Sequence, residues 1–85
     1  ESAIGPGETI LSVERGRRWI VRLRGARRRT YRLEASLATL RRPIRRVCAV
    51  RGARKWSFSR RSRVLRATFR ARRATLVVRG CRARR

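Results

Sequence analysis

Arginine is the residue whose frequency and spacing in this chain point most directly to chemistry. Twenty-six arginines and one lysine are accompanied by only four carboxylates, all Glu, so the formal net charge is +23. The guanidinium group is planar and donates two parallel hydrogen bonds to a phosphate. Like charges at this density repel one another unless counter-charge is present. The sequence therefore predicts a polyanionic partner, of which nucleic acid is the commonest.

The predicted phosphate-binding arginines lie at alternating positions and in the basic segment 25–29. Alternate residues on a strand lie ~6.6–6.8 Å apart, which is comparable to the spacing of neighbouring phosphates on a nucleic-acid strand. One face of a strand can therefore follow a phosphate backbone without contacting bases. The predicted residues are Arg18, Arg22, Arg24, Arg27, Arg28, Arg29, Arg32, Arg66 and Arg70.

Residue types that most enzymes depend on are absent from the sequence. There is no His and no Asp, so neither a Ser-His-Asp nor a Cys-His arrangement is available to activate a nucleophile. Two Cys without His cannot complete a four-ligand zinc site. We therefore expect no independent enzymatic activity, no metal site and no cofactor.

The two cysteines, Cys48 and Cys81, allow two interpretations. A disulfide would close a loop of about thirty residues, would stabilise the fold by ~3–4 kcal/mol and would imply an oxidising compartment. Alternatively, both are free thiols, with Cys48 a small apolar strand residue and Cys81 part of an exposed tail.

Apolar and polar residues alternate in most of the chain, which is typical of half-buried strands. The sequence predicts an all-β fold, a small antiparallel β-sandwich or barrel of about seven short strands. The first three form a meander, with turns at Gly16 and at Gly25. The predicted strands cover residues 8–16, 17–25, 30–35, 44–52, 55–59, 63–71 and 74–80.

Helical spacing interrupts this alternation only once. Leu33, Leu37, Leu40 and Ile44 recur every three or four residues, and Pro43 would end a helix. A short helix near 36–42 and a continuing strand with a bend are both compatible with this pattern. Residues 1–7 are predicted to be an irregular lead-in, 8–80 a single β domain and 81–85 a basic tail. No apolar run approaches the ~20 residues of a transmembrane span.

The alternation also predicts which side chains form the core. The aromatic residues Trp19, Trp56 and Phe58 fall on the inward side, although a platform for stacking unpaired bases is the alternative role for them. The predicted inward residues are Leu11, Val13, Trp19, Val21, Leu23, Tyr31, Leu33, Trp56, Phe58, Leu65, Phe69, Leu76 and Val78.

Residues 43–80 show an order of strands found in a known family. Pro43 precedes a Val-rich strand (Val47, Val50) that ends in Gly52, followed by strands with further matching residues. These are Trp56 with Phe58, Val64 with Leu65, and Leu76 with Val77 and Val78. This order resembles the C-terminal accessory β-sandwich domain of secreted glycoside hydrolases. The resemblance implies a non-catalytic fragment of an extracellular enzyme and favours pairing of the two cysteines.

Composition and pattern favour a non-catalytic basic β domain that binds polyanions. The predicted ligand is the phosphate backbone of nucleic acid, RNA in particular, without base specificity and within a ribonucleoprotein assembly. A fragment of a secreted glycoside hydrolase is the alternative, as is a designed or structural subunit. The predicted location depends on which of these functions is correct. It is a ribonucleoprotein assembly, or the extracellular space if the disulfide forms.

Overall fold

Five β-strands form one antiparallel sheet. A computed structural model describes residues 9–82, so the predicted lead-in and residues 83–85 of the predicted tail lie outside the described residues. The all-β, antiparallel prediction is confirmed. The strands are β1 (Thr9–Arg15), β2 (Arg18–Ser36), β3 (Val47–Arg51), β4 (Lys55–Phe58) and β5 (Val64–Gly80).

Two of the strands are much longer than the sequence predicts, and this reduces the number from about seven to five. The predicted strands 17–25 and 30–35 are both parts of β2, and 63–71 and 74–80 are both parts of β5. The two long strands pair with each other along almost their whole length. The predicted turns at 25–29 and 72–73 are therefore wrong, because the chain continues through both as strand.

A large bulge divides β2 and bends the sheet. Arg24 pairs with Arg73 and Arg29 pairs with Ala71, so residues 25–28 stand opposite Arg72 alone. Bulges bend a strand and increase its twist. The bulge separates a first half of the sheet (β1, residues 18–24, residues 73–80 and β3) from a second half (residues 29–36, residues 64–71 and β4).

The inward sides of the two halves share one core. The strand order is β1-β2-β5-β3, with β4 also on β5. Among the described residues no pairing joins β1 to β3, so the sheet is open rather than a closed barrel. The buried apolar residues are Trp19, Val21, Tyr31, Leu33, Leu37, Ile44, Leu65, Ala67, Phe69, Leu76 and Val78.

The connection after β2 buries its periodic apolar residues without forming a helix. Leu37 and Ile44 are both buried, and the amide of Ile44 donates to the carbonyl of Leu37 over 3.1 Å. The Leu37 amide in turn donates to the carbonyl of Arg63 over 2.9 Å. A tertiary partner thus replaces the hydrogen bonds of a helix, and the predicted short helix near 36–42 is wrong.

The predicted inward residues of β1 face outward. Leu11 and Val13 are 68% and 53% exposed. The two-residue turn with Gly16 at φ 57° pairs Arg15 with Arg18 and so places Glu14 opposite the buried Trp19. Because side chains alternate along a strand, this register turns Leu11 and Val13 to solvent. The predicted inward orientation of Leu11 and Val13, which the apolar pattern of β1 alone suggests, is therefore wrong.

Candidate nucleic-acid interface

Exposed arginines converge on the outward side of the first half of the sheet. Every strand of this half contributes at least one arginine. These arginines share one side of the sheet because directly paired residues of antiparallel strands point to the same side. We call this set the arginine face. Its members are Arg15 of β1, Arg18, Arg22 and Arg24 of β2, Arg51 of β3, and Arg73 and Arg79 of β5.

The register arranges these arginines in rows across the strands. Arg15 pairs with Arg18, and Arg18 also pairs with Arg79, so three arginines lie side by side on three neighbouring strands. Arg24 and Arg73 form a second row. Neighbouring strands are ~4.7–4.9 Å apart, so each row concentrates positive charge over a short distance. Such a row is costly in water and favourable beside a phosphate.

Aliphatic side chains separate the rows. Val13 pairs with Ile20, and Ile20 pairs with Val77, between the row of Arg18 and the position of Arg22. Ile20 and Val77 are half-buried, whereas Val13 is exposed. The arginine face is therefore amphipathic: guanidinium groups suited to phosphates flank a strip that offers apolar contacts.

Neither carboxylate of the described residues lies on the arginine face. Glu14 points to the other side of β1 and accepts hydrogen bonds from the amides of Arg41 (3.1 Å) and Arg42 (3.2 Å). Glu34 lies on the second half and pairs with Arg66 over 3.1 Å. Both carboxylates are thus engaged elsewhere, which leaves the charge of the arginine face available to a ligand.

A cleft of about 760 Å³ opens at one end of the arginine face. We call it the end cleft. It lies where β1 turns into β2 and where β5 ends, and the disulfide-bonded residues Cys48 and Cys81 form part of its wall. Five arginines line it: Arg15, Arg17, Arg18, Arg79 and Arg82.

A second cleft of about 580 Å³ lies at the bend of the sheet. Its arginines are Arg28 of the bulge, Arg54 of the β3–β4 connection, and Arg70 and Arg73 of β5. This bend cleft brings Arg70 of the second half next to the arginine face. It carries the charged surface across the bend.

The nine predicted phosphate-binding arginines do not share one surface. Arg18, Arg22 and Arg24 belong to the arginine face, and Arg28 and Arg70 line the bend cleft. The other four belong to neither. Arg27 is in the bulge, Arg29 stacks on Tyr31 with Cζ 4.3 Å from the ring centroid, and Arg32 and Arg66 lie on the outward side of the second half.

The predicted hairpin that joined Arg22, Arg24 and Arg32 on one side is wrong. These residues belong to one strand and pair with different parts of β5. The nine predicted residues also omit Arg15, Arg51, Arg73 and Arg79 of the arginine face. They omit Arg17 and Arg82 of the end cleft as well. The turn at Gly16 and the end of β5 bring the arginines of the end cleft together, and strand pairing places Arg51 and Arg73 on the face. No local pattern signals either.

The aromatic residues divide between core and surface. Trp19 is buried and Phe58 is half-buried against the core. Trp56 pairs with the buried Ala67 and so lies on the inward side, yet it is 42% exposed because β4 is short and borders the sheet. The predicted inward position of Trp56 is therefore confirmed, whereas its predicted place in the buried core is wrong.

Cys48 and Cys81 form a disulfide with a Cα–Cα distance of 5.0 Å. Cys48 occupies a bulge between the pairs Val47–Gly80 and Ala49–Arg79. The amide of Cys81 donates to the carbonyl of Arg46 over 2.9 Å. The bond and this hydrogen bond together fix β3 against the end of β5, beside the end cleft.

Comparison with protein-family models, with curated proteins and with solved structures finds no match to this chain. Across residues 9–82, no helix has the length and apolarity needed to cross a membrane.

Proposed function

We propose that this protein is a non-catalytic module that binds polyanions through the arginine face. Its proposed ligand is the phosphate backbone of nucleic acid, RNA in particular, bound without base specificity. The observation that carries the proposal is the row formed by Arg15, Arg18 and Arg79 on three neighbouring strands. No carboxylate of the described residues lies on the same face.

The spacing of the rows supports an extended ligand. Residues 18 and 24 of β2 are six positions apart, or ~20 Å along a strand, and arginines stand at both ends and at residue 22. A nucleic-acid strand laid along β2 would meet Arg22 and Arg24 ~6.7 Å apart, which is comparable to its phosphate spacing. Arg18 lies ~13 Å from Arg22, about twice that spacing, because Ile20 stands between them. Phosphate contacts determine position and affinity but carry no sequence information.

The disulfide favours a second candidate, an accessory β domain of a secreted enzyme, as the resemblance of residues 43–80 implies. Disulfides persist in oxidising compartments outside the cytosol. There the polyanion would be an acidic polysaccharide instead of RNA. Both candidates use the same arginine face, so a comparison of ligands distinguishes them.

The test is a titration of labelled RNA, DNA and heparin with the protein at several salt concentrations. The variant Arg22→Ser/Arg24→Ser/Arg73→Ser removes three arginines of the face. The slope of log K against log salt should become shallower by about 0.7 for each phosphate of single-stranded RNA that the variant no longer neutralises. Because phosphate binding ignores the bases, affinity should fall alike for RNAs of different sequence.

The matched control is Arg41→Ser/Arg60→Ser/Arg61→Ser, which removes the same charge from exposed connections outside the face. Screening at physiological salt limits charge effects to about 8 Å, so this variant should retain most of the slope. An equal reduction of affinity in both variants would contradict a localised surface. Tight binding of heparin with no binding of RNA would favour the second candidate.

A further inference from the structure

The end cleft differs from the rest of the arginine face in shape and in the origin of its arginines. The face is a sheet surface, whereas the cleft is concave, with a volume of about 760 Å³. Its arginines come from the end of β1, the turn before β2, the start of β2 and the end of β5. Arg17 and Arg82, from the turn before β2 and the segment after β5, thus add to the row of Arg15, Arg18 and Arg79, so the cleft holds more arginines than any row of the face.

The backbone around the cleft is held by tertiary bonds. The amide of Gly80 donates to the carbonyl of Arg17 over 2.8 Å, and the Cys81 amide donates to Arg46. The disulfide joins Cys81 to the bulge of β3. These three links fix the segments that carry Arg17 and Arg82, so the cleft is organised before a ligand arrives.

We propose that the end cleft binds a terminal phosphate of nucleic acid. This inference rests on the proposed function, because the nucleic-acid strand whose terminal phosphate binds in the cleft would itself be bound along the arginine face. A terminal monoester carries about −1.5 to −2 charge and three acceptor oxygens. An internal diester carries one charge and exposes two free oxygens. The five arginines of the cleft match the terminal group better, since their guanidinium donors outnumber the oxygens of an internal diester and the additional charge of a monoester strengthens each charge-assisted hydrogen bond.

The position of the cleft supports this assignment. The rows of the face run from Arg24 and Arg73 towards Arg18 and Arg79, and the latter two also line the cleft. A nucleic-acid strand bound along the face in this direction reaches the cleft at the row of Arg18 and Arg79. The bend cleft lies at the opposite end of the face, between Arg73 of the face and Arg70 of the second half. The rest of the nucleic-acid strand would continue in that direction.

The experiment measures binding of three RNA decamers of one sequence: with a 5′-phosphate, with a 3′-phosphate, and with hydroxyl groups at both ends. Wild-type protein should bind one phosphorylated decamer at least about tenfold more tightly than the hydroxyl decamer, as expected for one additional charge-assisted hydrogen bond. Uridine monophosphate is the free-nucleotide arm. If uridine monophosphate displaced the phosphorylated decamer at concentrations similar to those at which that decamer binds, the site would be assigned to free nucleotides. This result would overturn the assignment to a nucleic-acid end.

The informative variant is Arg17→Ser/Arg82→Ser, because these two residues line the end cleft but are not part of the arginine face. It should lose the preference for the phosphorylated decamer and still bind the hydroxyl decamer. Arg60→Ser/Arg61→Ser removes the same charge in the β4–β5 turn and should keep the preference.

Two outcomes would overturn the inference while leaving the proposed function intact. One is equal affinity of the wild type for all three decamers, and the other is an unchanged preference in Arg17→Ser/Arg82→Ser. Failure of the proposed function looks different, because the hydroxyl decamer would then not bind at all.

Discussion

The hydroxyl of Tyr31 donates a 2.8 Å hydrogen bond to the carbonyl oxygen of Arg27. A core residue of β2 thereby satisfies the backbone of the bulge four positions earlier in the same strand. The ring of Tyr31 also stacks on Phe69 of β5, with centroids 5.7 Å apart. Tyr31 thus fastens the bulge to the core at the point where the sheet bends.

Removal of this hydrogen bond should destabilise the bend without removing the ring. Tyr31→Phe keeps the stacking on Phe69 but leaves the Arg27 carbonyl without its partner, so the free energy of unfolding should fall by about 1 kcal/mol. Urea unfolding followed by tryptophan fluorescence measures the change. An unchanged midpoint would show that water replaces the hydroxyl at no cost.

Gly25→Ala should cost more than Tyr31→Phe. A Cβ at Gly25 would clash with the Tyr31 hydroxyl oxygen and lie 2.6 Å from its Cζ, so the ring must move away from the bulge. Since both changes act on one contact, the double variant should be less destabilised than the sum of the single variants. Additive destabilisation, or wild-type stability of Gly25→Ala, would contradict this close approach.

The orientation of β1 predicts a large contrast between two leucines. Leu65 is fully buried, and Leu65→Ala should lower the free energy of unfolding by about 2–5 kcal/mol. Leu11 is 68% exposed, and Leu11→Ser should change it by no more than about 0.5 kcal/mol. Urea unfolding of both variants checks this. Comparable destabilisation of the two would indicate the register in which Leu11 faces the core.

Loss of the disulfide should destabilise the fold and open the wall of the end cleft. Cys48 and Cys81 are 33 positions apart, and for a loop of this length Cys48→Ser/Cys81→Ser should cost about 3–4 kcal/mol. Urea unfolding with and without reductant gives the same comparison in the wild type. Identical midpoints, with two reactive thiols before reduction, would show that the bond is absent.

Stability should depend on counter-charge. Within residues 9–82 only Glu14 and Glu34 oppose the positive charge, so repulsion raises the free energy of the folded state at low ionic strength. The melting temperature should rise with added sodium chloride and more steeply with sulfate, phosphate or RNA. A constant melting temperature across these conditions would mean that the arginines are far enough apart to be hydrated independently.

Local sequence was sufficient to identify the inward residues of β2 and β5, although it divided each of these strands in two. Trp19, Val21, Leu65 and Val78 alternate with polar residues and are all buried, because successive side chains of a strand point to opposite sides whatever its partner is. The outward position of Arg18, Arg22 and Arg24 follows from the same period.

Tertiary structure decided which strands pair and therefore which arginines meet. The segment 25–29 has the composition of a turn, but β5 offers a partner for both parts of β2, and the stacking of Tyr31 on Phe69 accompanies that pairing. The row of Arg15, Arg18 and Arg79 joins residues more than sixty positions apart. Side-chain period is a local property of the chain, whereas strand order depends on long-range burial, so the arginine face and the end cleft exist only in the folded sheet.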